Sequence, residues 1–188
     1  MKIQCDCGKF IAKVEKFPKE TPGRAVCYCD DCQLFMKSIG RTDLLDANGG
    51  TEIVPVYSSN IHILTGKENL ECIRLKKGGT YRWKTNCCNT PIGNTAPRNA
   101  WFGMIAKVFN QNDSAALKNL LGPVKSRIHG RFAIGTPPKG TSEKIGFKDF
   151  LVVFPFILKG KLLKSRKKSE FFDSHFKAIV KPKILFES

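Results

Sequence analysis

Seven of the eight cysteines in this 188-residue chain fall into three short clusters. The densest is Cys27-Tyr28-Cys29-Asp30-Asp31-Cys32, with three thiols in six residues. Cys29 and Cys32 have the spacing of a metal knuckle, in which a tight turn brings two sulfurs to about 2.3 Å from one ion. Cys27 stands two residues before Cys29, so on an extended segment both side chains point to the same side. Asp30 or Asp31 is expected to cap a following helix. On that helix Cys32, Phe35, Met36 and Ile39 share an inward face, and Gly40 forms its end. A strand, a turn and a helix start thus aim three sulfurs at one point. Structural zinc sites take four protein ligands, whereas catalytic ones often take three and a water. Only three are local here, so either a fourth comes from elsewhere or the site is open.

The other clusters are Cys5-Asp6-Cys7 and Cys87-Cys88. Adjacent residues on a regular strand face opposite ways, so Cys87 and Cys88 reach one ion only at a turn or bulge. Asn86 and Asn89-Thr90-Pro91 provide the turn signal. The simplest sharing puts Cys5, Cys7, Cys87 and Cys88 around one Zn²⁺, where binding energy becomes folding energy. Cys27, Cys29 and Cys32 then hold a second ion, giving two per chain. Cys72, alone in an apolar segment, reads as a core thiol. His62, His129 and His175 lack ligand-like spacing.

These clusters need strands to carry them. Lys2 to Val14 reads as a hairpin turning at Gly8, and Arg24 to Tyr28 as a short strand leading into the knuckle. Asp46-Ala47-Asn48-Gly49-Gly50 is a strong turn. Strands are expected over 51–57, 61–64, 70–75 and 80–85. The class is therefore mainly β over residues 1–112, with one short helix. Residues 113–188 differ. They contain a short helix over 114–121 stopped by Gly122-Pro123, a second helix over 147–163 kinked or begun near Pro155, and six basic residues between Lys159 and Lys168. This portion is expected to form a basic, partly helical extension packed on the first domain.

The net charge is +16. Residues 1–112 hold 16 basic and 10 acidic side chains, and residues 113–188 hold 16 and 6. Such an excess favours anionic partners. The N-terminus has no apolar signal-peptide core, and clustered cysteines of this spacing read as metal sites in a reducing compartment. No run reaches the roughly 18 apolar residues of a membrane span. A cytoplasmic protein is expected.

Cys5-x-Cys7-Gly8, Cys27-x-Cys29-x-x-Cys32 and Cys88-Asn89-Thr90-Pro91-Ile92 resemble the zinc pattern of the glutathione-dependent formaldehyde-activating enzyme family. That family includes centromere protein V. The resemblance covers about residues 1–110 and implies the Mss4-like fold, with a structural zinc on the outer cysteine pairs and a catalytic zinc on the central triplet. An uncharacterised branch is closer, sharing Cys-Tyr-Cys-Asp-Asp-Cys-Gln, Leu45-Asp46-Ala47-Asn48-Gly49-Gly50-Thr51, and Arg82-Trp83 through Thr95. The wider family ends in C-x-x-C-G. Here Thr85 stands at its first cysteine and Asn89 at its glycine, and Cys87 is placed to supply the sulfur.

The resemblance implies a carbon–sulfur lyase that adds glutathione to formaldehyde, with Cys27, Cys29 and Cys32 holding an ion that acts as a Lewis acid. Arg82, Arg98 and Lys107 are candidates to meet an anionic thiol. The alternative is a non-catalytic zinc module binding an anionic partner, above all weak, non-specific nucleic acid. Lys159 to Lys168 would contact phosphates, and Phe171, Phe172 and Phe176 would stack on bases. A third reading lays 147–163 on a membrane surface as a basic amphipathic helix.

Overall fold

Alternation of apolar and polar residues starts the chain as strands. In the computed structural model, which describes residues 1–109 and 114–186, β1 (Lys2–Gln4) pairs antiparallel with β2 (Ile11–Val14). Ile3, Ala12 and Val14 turn inward, as alternation requires. β3 (Arg24–Cys27) enters the knuckle, and α1 (Asp30–Ser38) follows it. The expected inward face of α1 is buried at Cys32, Phe35, Met36 and Ile39. The helix ends in a Schellman motif. Gly40 adopts φ +70, its amide bonds to the Lys37 carbonyl at 3.1 Å, and the Arg41 amide reaches Met36 at 2.8 Å.

Next come β4 (Thr51–Tyr57), β5 (Ile61–Thr65), β6 (Leu70–Arg74), β7 (Tyr81–Thr85), β8 (Pro91–Thr95) and β9 (Trp101–Ile105). Then follow α2 (Ser114–Leu121), β10 (Val124–Ile128), α3 (Phe147–Leu162) and the two-residue β11 (Lys183–Ile184). The described residues form a mainly β protein with two sheets and three helices. The small sheet runs β1-β2-β5 and the large one β10-β3-β4-β9-β8-β7-β6-β11. The expected boundary at 112/113 lies outside the described residues.

Both edges of the large sheet are closed by strands from beyond residue 113, and both pairings are parallel. β10 lies along β3 with Val124 opposite Arg24 and Ile128 opposite Cys27. Arg24 fixes this edge by a fork onto Glu52, at 2.5 and 3.0 Å, and a 3.0 Å bond to the Gly122 carbonyl. The C-terminal portion also enters the core. Trp83 is fully buried, with its ring 5.0 Å from Phe171, and Phe102 lies 4.6 Å from Phe171. Phe171 and Phe172 are therefore core residues and do not present faces for base stacking. α3 runs unbroken through Pro155, instead of beginning there.

Candidate metal centres

Four sulfurs converge where the β1–β2 turn meets the turn after β7. The spacings are 3.6 Å for Cys5–Cys7, 3.8 Å for Cys5–Cys87, 3.3 Å for Cys7–Cys87 and 3.8 Å for Cys87–Cys88. Four sulfurs bound tetrahedrally at about 2.3 Å would stand about 3.8 Å apart. The group therefore fits a metal ion, and none of the eight cysteines is in a disulfide. Neighbouring residues Cys87 and Cys88 both reach this point from the turn after β7, in which Asn89 takes a left-handed conformation, φ +54, that asparagine tolerates. Thr85 contributes no sulfur, but it braces the turn. Its hydroxyl accepts the Thr90 amide at 3.2 Å and lies 3.4 Å from Cys88 Sγ. Burial opposes ionisation of Cys88, yet the Thr85 and Thr90 hydroxyls bring its thiol down to about 5. Burial and the Cys7 contact push Cys87 up to about 12.

The second group is Cys27, Cys29 and Cys32, whose sulfurs all lie within 4.8 Å of one another. Among the described residues, no fourth cysteine, histidine, aspartate or glutamate donor joins them within that distance. Cys27 and Cys32 are buried and Cys29 is half-exposed. The helix cap differs from expectation. Cys29, not Asp30 or Asp31, is the N-cap, and its sulfur accepts the Cys32 amide at 3.4 Å. The two aspartates instead occupy the first turn, where their charge complements the helix dipole.

Arg82, a candidate to meet an anionic thiol, is only 4% exposed. Its guanidinium lies 3.8 Å from Cys32 Sγ, 3.4 Å from Asp31 Oδ2 and 3.4 Å from Asn94 Oδ1. Hydrogen bonds from Cys27 and Cys29, with this positive charge, hold Cys32 well below the ordinary thiol range against the cost of burial. Cys27 is raised by its bonds to Cys29 and Cys32. At Cys29 the bond from Cys27 lowers the pKa, but the bond to Cys32 and burial outweigh it and leave it at about 12. The Arg82 guanidinium beside its sulfur thus favours the charged form of Cys32.

The knuckle is held by residues far along the chain. Tyr28, fully buried between Cys27 and Cys29 in sequence, donates to Asp46 Oδ2 at 3.1 Å. Asp46 Oδ1 accepts the amides of Asn48 and Gly50 at 2.9 and 2.7 Å. A Cβ on Gly50 would stand 2.5 Å from Asp46 Oδ2 and 2.6 Å from both Tyr28 and Val26, so only glycine fits. Gln33 donates to the Tyr28 and Phe132 carbonyls, both at 2.8 Å, and Asn48 donates to the Ile134 carbonyl at 2.8 Å. The turn over 46–50 therefore ties the knuckle to the segment after β10.

The chain belongs to a protein family of unknown function, DUF6151, whose model matches residues 1–181. The match spans both cysteine groups and the segments that brace them. No curated protein matches the chain. Among solved structures, a crystal structure of a Rhodobacter sphaeroides protein from a structural genomics programme is 18% identical. It covers 66% of this chain and 97% of its own, with a TM-score of 0.45.

The remaining expected residues separate. Cys72 is buried opposite Trp83, and burial pushes its thiol up to about 12. His62 bridges toward Glu170 at 3.1 Å and Glu15 at 3.6 Å. No histidine joins either sulfur group among the described residues. Lys107 lies 3.9 Å from Asp6. Arg98 belongs to a different place, a cationic cavity at the end of α3.

Proposed function

We propose that this family member is a zinc-binding protein of Mss4-like fold with a basic C-terminal extension, similar to the carbon–sulfur lyases that add glutathione to formaldehyde. In this reading Cys5, Cys7, Cys87 and Cys88 hold a structural ion, and Cys27, Cys29 and Cys32 hold an open one. The observation that carries it is the inequality of the two groups: four sulfurs at closed-site spacing against three with no fourth donor beside them. The reading is supported by Cys87, which lies 3.3 Å from Cys7 and so could supply the sulfur that Thr85 lacks.

Zinc bound by the triplet supplies a Lewis acid, weakened by the charge that thiolates donate. The chain's own part is positional. Arg82 is too buried to meet a substrate from solvent, so its role is to keep Cys32 ionised. Asp31 and Asn94 hold the guanidinium in place. Cys29 carries the exposed side of the triplet, so a thiol and an aldehyde approach there. In the addition a carbon–sulfur bond forms, and the thiol proton ends on the new hydroxyl oxygen.

The test is a zinc count on purified protein together with glutathione–formaldehyde exchange measured against the uncatalysed rate. Two ions per chain and a rate above buffer, lost in Cys29→Ser, support the reading. An X-ray absorption spectrum with four protein ligands at every zinc removes it. A second reading, a non-catalytic module for an anionic partner, is supported by five cations around the cavity of Arg98. For nucleic acid it is left with phosphate contacts, since Phe171 and Phe172 are buried.

A further inference from the structure

α3 is turned inside out for a surface helix. Its inner side is fixed by Tyr57, whose ring stacks on Phe156 with centroids 4.3 Å apart and whose hydroxyl donates to the Phe156 carbonyl at 3.0 Å. Gly160 lets the helix approach closely, because a Cβ there would stand 2.8 Å from the Tyr57 ring. With that side pinned, Phe147, Leu151, Phe154, Leu158 and Leu162 follow one another at helical spacing along the outer side. All five are exposed, Phe147 and Leu162 each at 75%. Solvent-facing helix surfaces ordinarily carry polar residues, and a continuous apolar stripe marks an interaction surface.

At the C-terminal end of α3, beside Gly160, lies a cavity of about 370 Å³ whose wall carries Arg98, Lys161, Lys164, Arg166 and Lys167 and no acidic residue. None of these five cations forms an ion pair among the described residues, although Lys159, one turn earlier on α3, pairs with Glu20 at 3.0 Å. The turn that carries Lys164 to Lys168 is anchored to the protein body. Ser165 Oγ accepts the Ser59 amide at 3.1 Å and lies 3.0 Å from Ser59 Oγ.

We propose that α3 and this cationic cavity form a docking surface for a bilayer with anionic headgroups. Phe147, Leu151, Phe154, Leu158 and Leu162 would enter the acyl boundary while Arg98, Lys161, Lys164, Arg166 and Lys167 meet lipid phosphates. The charge arrangement favours this occupant over two others. A second copy would bring the same unpaired cations and repel. Nucleic acid would satisfy the cations but leave five large apolar side chains in water. At 16 residues, α3 falls short of the roughly 20 needed to span a bilayer, and no described helix is long and apolar enough to cross one. The helix therefore lies along the surface, as interfacial helices do. This inference is independent of any metal chemistry.

The experiment is co-sedimentation of the full chain with phosphatidylcholine vesicles, with and without phosphatidylserine. Two exposed-residue variants are compared: Leu151→Ser/Leu158→Ser, and Lys164→Ala/Lys167→Ala. Unchanged melting temperature and circular dichroism establish that each is folded. Binding should require phosphatidylserine and weaken with salt. Removing two lysines should weaken it about thirtyfold, roughly fivefold for each, and the apolar variant should fail to bind. Three results would overturn the proposal: no binding to phosphatidylserine vesicles at low salt, vesicle binding unchanged in the apolar variant, or a dimer in sedimentation velocity that Leu151→Ser/Leu158→Ser dissolves. Retention on duplex DNA or RNA without vesicle binding would assign the cations to nucleic acid instead.

Discussion

The guanidinium of Arg82 lies 3.8 Å from the sulfur of Cys32, although fifty residues separate them. Arg82 comes from the start of β7, and Cys32 from the first turn of α1. A buried fixed cation beside a thiolate favours its charged form. In the proposed metal site it would also orient a ligand without binding metal itself, a role whose loss typically weakens metal affinity 10- to 100-fold.

Arg82→Met should therefore weaken metal binding at the triplet by about that factor and leave the four-sulfur group unaffected. Competition with a chromophoric chelator resolves the two affinities. Arg82→Lys should recover part of the loss, because charge returns without the forked geometry. Equal weakening of both sites in Arg82→Met would point to general destabilisation.

The two sulfur groups should answer differently to serine. Cys5, Cys7, Cys87 and Cys88 join segments some eighty residues apart, and the metal contribution in small zinc domains is of order 10 kcal/mol. Cys7→Ser and Cys88→Ser should lose cooperative thermal unfolding. Cys29→Ser should lose one zinc and keep the fold. Serine also preserves the cap that Cys29 gives to α1, so the variant isolates ligation from capping. Calorimetry and metal analysis on the same samples check both outcomes.

Gly50→Ala should destabilise by roughly 1–3 kcal/mol, the usual range for forced overpacking. Its added methyl would meet Asp46, Tyr28 and Val26. Because Tyr28 stands between Cys27 and Cys29, zinc occupancy of the triplet should fall with stability. Urea unfolding gives the first quantity, and metal content after dialysis gives the second. A stable protein with a full triplet would sever the brace from the site.

Acid should weaken the start of α3. Burial opposes ionisation of Asp149, but hydrogen bonds from Ser126, Ser142 and the Gly146 amide hold its carboxyl below the usual range. A depressed folded pKa means that the unfolded chain binds the proton first. The stabilisation is present above the unfolded value of about 3.9 and is lost as pH falls through the lower, folded value. Asp149→Asn should be less stable than wild type at neutral pH, and the difference should shrink below about pH 4. A gap constant through that range would show that Asp149 acts by shape alone.

Local chemistry made part of this molecule readable from its sequence. The 3.6-residue spacing of Cys32, Phe35, Met36 and Ile39 defines the buried side of α1, and Gly40 ends it, because both depend only on neighbours along the chain. The partition of seven cysteines into a quartet and a triplet follows from spacing and from the turn at Asn89. Long-range pairing decided the rest. Nothing near Arg82 in the sequence says that its charge is buried against Cys32; that depends on how the large sheet carries β7 beneath α1. The parallel strands β10 and β11 pair with partners about a hundred residues away, and a short polar strand bears no mark of its partner. Periodicity describes two sides of α3 without saying which is covered. Tyr57 makes that choice by stacking on Phe156 and accepting only Gly160 beside it, and the apolar stripe is left facing outward.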